Sequence, residues 1–99
     1  MKIIFHRYYS LLFSVPGFEK VIGLSTEVCD TTQTVSNLYN LEDVRACGDA
    51  CETNPNCAFF TYFIDASVYD NICVLSRSCM ERRTAAYSAT TYQKAKGYI

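Results

Sequence analysis

The chain has 99 residues, of which 49% are hydrophobic and six are cysteines, and this length corresponds to one domain. Its net charge of -1, without a basic stripe or a run of like charges, argues against nucleic-acid binding and against a charged tail. A domain of this size has a thin core, and small secreted domains commonly compensate for it with disulfides.

Residues 1–20 form a basic and apolar segment ahead of a mildly acidic body, and two interpretations of it remain open. The apolar run at residues 8–15 resembles that of a secretory leader, although His6 and Arg7 interrupt the apolar stretch and no A-x-A-like cleavage site is obvious. The run is too short to span a membrane, which takes about 20 apolar residues. Alternatively, apolar side chains at helical spacing form an arm that docks on a partner or on the domain itself; they are Ile4, Tyr8, Leu11, Leu12 and Val15.

The remaining residues, 21–99, are predicted to form one α+β domain in which a helix packs on a small antiparallel sheet. Residues 57–64 are rich in aromatic side chains and lie between turn signals, which predicts a central strand buried on both faces. This strand is expected to form a hairpin with the next one through a loop at residues 65–71. The predicted strands are residues 21–28, 34–39, 57–64, 72–76 and 90–95.

The helix is predicted at residues 41–52. Asn40 is a favourable N-cap, and acidic side chains occupy the first turn, where the helix dipole stabilises them. Cys47 and Cys51 are four residues apart and therefore lie on the same face. Turn-forming residues around Pro55 end the helix.

The six cysteines allow three interpretations: structural disulfides, a metal site or a reactive thiol. Zinc sites usually contain two close pairs of ligands, whereas only Cys47 and Cys51 have such a spacing, and the single histidine is His6. A C-x-x-C redox motif is absent. Disulfides are therefore favoured, and no metal or cofactor is predicted.

Six cysteines allow fifteen pairings, and spacing alone does not choose among them. The predicted elements place Cys57 close to the helix end that carries Cys51, and they place Cys73 on the neighbouring strand, within reach of Cys47.

The segment CGDACETNPNCAFFTYF, followed by CVL, is similar to the core of PAN/apple domains. In that family a helix carries two cysteines four residues apart, a short turn leads to a strand that begins with cysteine and aromatic residues, and a C-x-L strand follows. Cys47, Cys51, Cys57 and Cys73 match these four positions. The resemblance extends over roughly residues 27–95.

The resemblance implies the disulfides Cys47–Cys73 and Cys51–Cys57, and it implies a small disulfide-rich α+β fold. Apple domains have a further disulfide that ties the two ends of the domain together. Cys29 and Cys79 would fill that role, although about twenty residues follow Cys79 here.

The resemblance further implies a non-catalytic module that binds protein or carbohydrate, and no catalytic residues are predicted. Asp65 and Asp70 are a carboxylate pair only by closeness in the sequence, and no glycine-rich phosphate loop is present. Aromatic and charged side chains suggest a ligand site, although the same side chains are also what an ordinary solvated surface contains. The candidate ligand-binding residues are Tyr69, Arg82, Arg83 and Tyr87.

Two functions are consistent with these features. The first is a secreted or surface recognition module, such as a unit of an adhesin. The second is a small accessory subunit of a larger assembly, anchored by residues 1–20. Either protein would belong outside the cell, on its surface or in an oxidising organelle lumen.

Overall fold

The computed structural model describes residues 15–41, 43–63 and 72–95. Within these ranges one α-helix packs on a five-stranded antiparallel sheet with strand order β1-β5-β3-β4-β2, which confirms the predicted α+β class. The elements are β1 (Phe18–Cys29), a 3-10 helix (Thr31–Gln33), β2 (Thr34–Leu38), α1 (Val44–Glu52), β3 (Phe59–Phe63), β4 (Ile72–Ser76) and β5 (Arg82–Lys94).

The helix begins later than predicted, at Val44, and the predicted N-cap is wrong. The cap is Asp43, whose carboxylate accepts a hydrogen bond from the backbone N–H of Ala46 at 3.0 Å. Asn40 instead has a φ of 60°, a left-handed conformation that asparagine tolerates in turns. An aspartate three residues before a free N–H satisfies one of the unpaired donors of the first turn.

The predicted strands are present, with corrected bounds. Strand β4 lies where it was predicted, and β1 and β2 differ by a few residues at their ends. Strand β3 starts at Phe59 rather than at residue 57, because the backbone N–H of Cys57 donates to the carbonyl of Asn54 and prolongs the turn. Strand β3 lies between β5 and β4, and its middle residues are buried, as predicted for the central strand. The predicted loop at residues 65–71 lies outside the described residues.

Strand β5 is much longer than the predicted residues 90–95, because its first part pairs only with β1. Arg82 lies opposite Cys29, Thr84 opposite Glu27, and Ala89 opposite Ser25. The last two pairs are separated by two residues along β1 but by five residues along β5. Extra residues of this kind form bulges, which bend a strand pair. We call residues 25–29 together with residues 82–89 the ribbon.

The core lies between α1 and one face of the sheet, the inner face. Phe60 is fully buried there, and its ring stacks on Tyr92 at 4.7 Å and contacts the edge of Phe18 at 4.9 Å. The other buried members come from α1, the turn that follows it, the neighbouring strands and the chain before β1; they are Cys47, Cys51, Cys57, Tyr62, Cys73, Leu75 and Val15.

All six cysteines are disulfide-bonded, so the sulfurs are not available as thiols or metal ligands. The bonds are Cys47–Cys73, Cys51–Cys57 and Cys29–Cys79, the same pairs that the resemblance implies. The first ties α1 to β4, and the second ties the end of α1 to the turn before β3. The third ties the end of β1 to the chain that enters β5.

The residues just before β1 pack on the core of the domain. Val15 is only 6% exposed and belongs to the core cluster. Its carbonyl accepts a hydrogen bond from the N–H of Phe18 at 3.0 Å, and the N–H of Ala95 donates to the carbonyl of Gly17 at 2.9 Å. Val15, predicted as part of a docking arm, therefore packs on its own domain. The other arm residues lie outside the described residues; they are Ile4, Tyr8, Leu11 and Leu12.

Candidate functional site

The sheet face opposite α1, the outer face, carries the side chains that alternate with those of the core. Because successive side chains of a strand point to opposite faces, Thr61 and Phe63 of β3 point away from α1. Ile72 and Val74 of β4 do the same. These four side chains form the floor of a cavity of about 310 Å³, which we call the outer-face cleft.

The walls of the outer-face cleft come from both edges of the sheet. Strands β1 and β2 lie at opposite edges, and only residues 30–33 separate them in sequence. The chain must therefore cross from one edge to the other. Cys29 marks the crossing, because its sulfur lies 3.9 Å from the Thr61 hydroxyl of the central strand. The wall residues are Val28, Cys29, Thr31, Thr34, Asn37, Tyr39 and Arg83.

Local hydrogen bonds hold the crossing segment in place. The Asp30 carboxylate accepts from the Thr32 hydroxyl at 2.6 Å and from the Thr32 backbone N–H at 3.1 Å. These bonds lower the pKa of Asp30, and the positive charge of Arg83 lowers it further. The N–H of Asp30 donates to the carbonyl of Glu81 at 2.9 Å, and that of Arg77 donates to Gln33 at 3.0 Å. The wall of the cleft is therefore tied to the residue before β5 and to the residue after β4.

A buried pair of hydroxyl groups lies at the base of the cleft. The Thr61 and Thr91 hydroxyls are 3.0 Å apart, in residues that are 2% and 0% exposed. A buried hydroxyl that loses its partner costs about 1–3 kcal/mol, whereas removal of both partners can be nearly neutral. The pair therefore couples β3 to β5 beneath the cleft.

Thr61→Val is expected to lower the free energy of unfolding by about 1–3 kcal/mol, because the Thr91 hydroxyl stays buried without its partner. Thr91→Val should have a similar effect, and the double variant should lose much less than the sum. Urea unfolding followed by circular dichroism measures all four proteins. Additive losses in the double variant would show that the two hydroxyls do not depend on each other.

The structure brings one of the four predicted ligand-binding residues into the cleft. Arg83 lines its wall, whereas the adjacent Arg82 forms an ion pair with Glu27 at 3.5 Å and is not among the lining residues. Tyr87 lies in the bulged part of β5 and is 42% exposed, also outside the cleft. Tyr69 lies outside the described residues.

Sequence reasoning missed most of the cleft. The floor residues could have been predicted from the sequence, since alternation along the predicted strands 57–64 and 72–76 separates outer from inner side chains. The wall residues Asn37 and Tyr39, and those of the crossing segment, carry no local signal. Asn37 lies beside the floor because β2 pairs with β4 and places it opposite Val74. The crossing segment reaches the floor because the chain passes from one edge of the sheet to the other.

The described residues contain no group of three or more histidine, cysteine, aspartate or glutamate side chains arranged to hold a metal ion. They also contain no helix with the length and apolar character that a membrane span requires.

The chain matches the family model of the PAN domain over residues 17–98, which includes every element of the sheet and all three disulfides. Comparison with curated proteins and with solved structures gave no match. PAN domains are generally non-catalytic modules that bind proteins or carbohydrates. With four-fifths of its residues matched, an antiparallel sheet under one helix and the expected disulfides, this chain belongs to the PAN domain family.

Proposed function

We propose that this protein is an extracytoplasmic recognition module that binds protein or carbohydrate in the outer-face cleft. The observation that carries the proposal is the composition of the cleft. Three of its four floor side chains are apolar, and hydroxyl, amide and guanidinium groups surround the floor. Binding sites for small ligands commonly combine an apolar surface with a few well-placed polar groups, in cavities of about 300–1,000 Å³.

The covalent framework supports this assignment because it holds the cleft in shape before a ligand arrives. The Cys29–Cys79 bond fixes the wall, and Cys47–Cys73 fixes the strand that carries half of the floor. A preorganised site loses less conformational entropy on binding than a mobile one. A domain with a thin core gains this rigidity from disulfides.

The cleft has the character of a binding site rather than of a catalytic centre. Its described lining residues include hydroxyl groups but no histidine or carboxylate to activate them, and its cysteine is oxidised. Nucleophilic catalysis needs a nucleophile within hydrogen-bond reach of a base. We therefore propose a non-catalytic role.

Three disulfides indicate an oxidising environment, and we propose that the protein is secreted, on the cell surface or in an oxidising organelle lumen. The alternative role, an accessory subunit anchored by residues 1–20, has less support. One of its five proposed anchor residues, Val15, is buried in the protein's own core.

The proposal is tested by filling the cleft. Asn37 is an exposed edge-strand residue that lines it, so Asn37→Tyr should lower the affinity about tenfold, equivalent to about 1.4 kcal/mol. Thr26→Tyr is the matched control, because Thr26 is an exposed polar residue of the other edge strand, outside the cleft. The ligand is the strongest binder from a glycan array and a peptide display library, and titration calorimetry gives the affinities.

Both variants should unfold at the same temperature as the wild-type protein, since each replaces an exposed side chain. Equal affinity in the wild-type protein and Asn37→Tyr would place the binding site elsewhere. A larger loss in Thr26→Tyr would point to the β1 edge.

A further inference from the structure

Arg83 is the only charged side chain among the described residues that line the outer-face cleft. Its guanidinium donates one long hydrogen bond, of 3.4 Å, to the carbonyl of Thr84. Among the described residues no carboxylate lies within ion-pair distance of it. The carboxylate of the nearby Asp30 accepts hydrogen bonds from the hydroxyl and the backbone N–H of Thr32. Four of the five N–H groups of the guanidinium therefore have no acceptor among the described residues.

The adjacent arginine, Arg82, has an acidic partner outside the cleft. Arg82 forms an ion pair with Glu27 at 3.5 Å, and neighbouring residues of a strand point to opposite faces. The ribbon thus directs one cation into the cleft and pairs the other with an acid outside it. The two arginines form a natural comparison, since they share a strand and differ in what they face.

The other described residues of the lining are neutral and suit a sugar ring. The hydroxyl groups of Thr31 and Thr34 and the amide of Asn37 can each donate and accept hydrogen bonds, as sugar hydroxyls require. Phe63 provides an apolar surface on the floor, and Tyr39, which is 60% exposed, provides an aromatic ring at the wall. Such surfaces pack against the C–H groups of a pyranose.

The position of the cleft argues against an extended peptide. Peptides that add to a sheet pair with the free backbone groups of an edge strand. The floor of the cleft instead consists of side chains on β3 and β4, and each of these strands already has a neighbour on both sides. A cavity of about 310 Å³ is also at the small end for ligand sites, which span about 300–1,000 Å³, so one or two sugar residues fill it.

We infer that the outer-face cleft binds an acidic sugar, a pyranose that carries a carboxylate, with the carboxylate on Arg83 and the ring over the apolar floor. This inference rests on the proposed function and specifies its ligand class. An arginine fork matches a carboxylate through two parallel hydrogen bonds. A neutral sugar of the same shape lacks that contact.

The experiment compares two probes that share a ring. Methyl β-D-glucuronide carries a carboxylate where methyl β-D-glucoside carries a hydroxymethyl group. Both are titrated into the full, disulfide-bonded chain by NMR, for the wild-type protein, Arg83→Gln, Arg83→Lys and Arg82→Gln. The glucuronide should bind about tenfold to hundredfold more tightly to the wild-type protein, the range expected for a charge-assisted hydrogen bond.

Arg83→Gln should remove this preference, and Arg83→Lys, which keeps the charge without the fork, should retain part of it. Arg82→Gln should behave as the wild-type protein does. The preference should also shrink at high salt, because the site is open to solvent. The dispersion of the amide resonances shows that each variant is folded.

The possible failures are distinguishable. Equal binding of the two sugars in the cleft would overturn the acidic preference and leave the recognition site intact. An unchanged preference in Arg83→Gln, or an equal loss in Arg82→Gln, would show that Arg83 is not the anchor. Absence of glucuronide binding at millimolar concentrations, together with binding of a glutamate-rich peptide, would overturn the sugar ligand. Absence of any ligand in the cleft would remove the proposed function as well.

Discussion

Reduction of all three disulfides is expected to unfold this domain in the absence of denaturant. In the chain-entropy model, the closed loops contribute about 4 kcal/mol for Cys29–Cys79, about 3.5 kcal/mol for Cys47–Cys73 and about 2 kcal/mol for Cys51–Cys57, since the bonds span 50, 26 and 6 residues. These values are not additive, yet together they are comparable with the whole stability of a small domain, about 5–15 kcal/mol.

Circular dichroism and intrinsic fluorescence with and without a phosphine reductant test this expectation. The matched comparison is between two double variants. Removal of Cys47–Cys73 should cost more than removal of Cys51–Cys57, because it opens a loop of 26 residues rather than one of 6. Removal of the short Cys51–Cys57 loop should leave the protein folded. An identical thermal transition in oxidised and fully reduced protein would show that the core is sufficient without the bonds.

Gly48→Ala is expected to destabilise the domain strongly for a substitution that adds one methyl group. Gly48 is buried in α1, and a Cβ built there would lie 2.5 Å from a methyl carbon of Val15, too close for any real contact. Overpacking of this kind costs about 1–3 kcal/mol. The neighbouring ring atoms of Phe18 and Phe60 lie at 3.7 and 3.5 Å, at ordinary contact distance, so the conflict is with Val15 alone.

Because the clash is with Val15, the effect of Gly48→Ala on the free energy of unfolding should change sign when the Val15 side chain is shortened. In a Val15→Ala background, Gly48→Ala meets no clash and should stabilise the helix by up to about 1 kcal/mol, the difference between alanine and glycine in a helix interior. Gly23→Ala is the control in the wild-type background, because nothing lies within 4 Å of a Cβ at Gly23. Urea unfolding of these variants measures the coupling. The same loss in both backgrounds would mean that Val15 does not pack on Gly48.

The central part of the fold was predictable because its signals are local. Cysteines four residues apart on an amphipathic helix, an aromatic strand and a turn at Pro55 each specify their own structure. The N-cap was predicted wrongly because Asn40 and Asp43 are both good capping residues, and tertiary contacts decide between them. The predicted core helix and central strand are the parts that a sequence of this kind specifies best.

Strand β5 and the cleft were much less predictable. The first half of β5, RRTAAYSA, has few residues that favour strands, and it becomes a strand through pairing with β1. Alternation along a strand sends Arg82 and Arg83 to opposite faces, but which face carries the cleft depends on how β5 pairs with β1 and β3. A pattern in one segment cannot show this, because the cleft forms from segments far apart in the sequence.

The proposed function depends most directly on ligand binding at the outer face of the sheet. Titration of the isotope-labelled full chain with methyl β-D-glucuronide, followed by amide chemical shifts, locates the site. We predict that the shifts of Asn37, Thr61, Val74 and Arg83 change together, while those of α1 and Gly23 stay constant. Changes confined to α1 or to the β1 edge, with the cleft amides unmoved, would contradict the account.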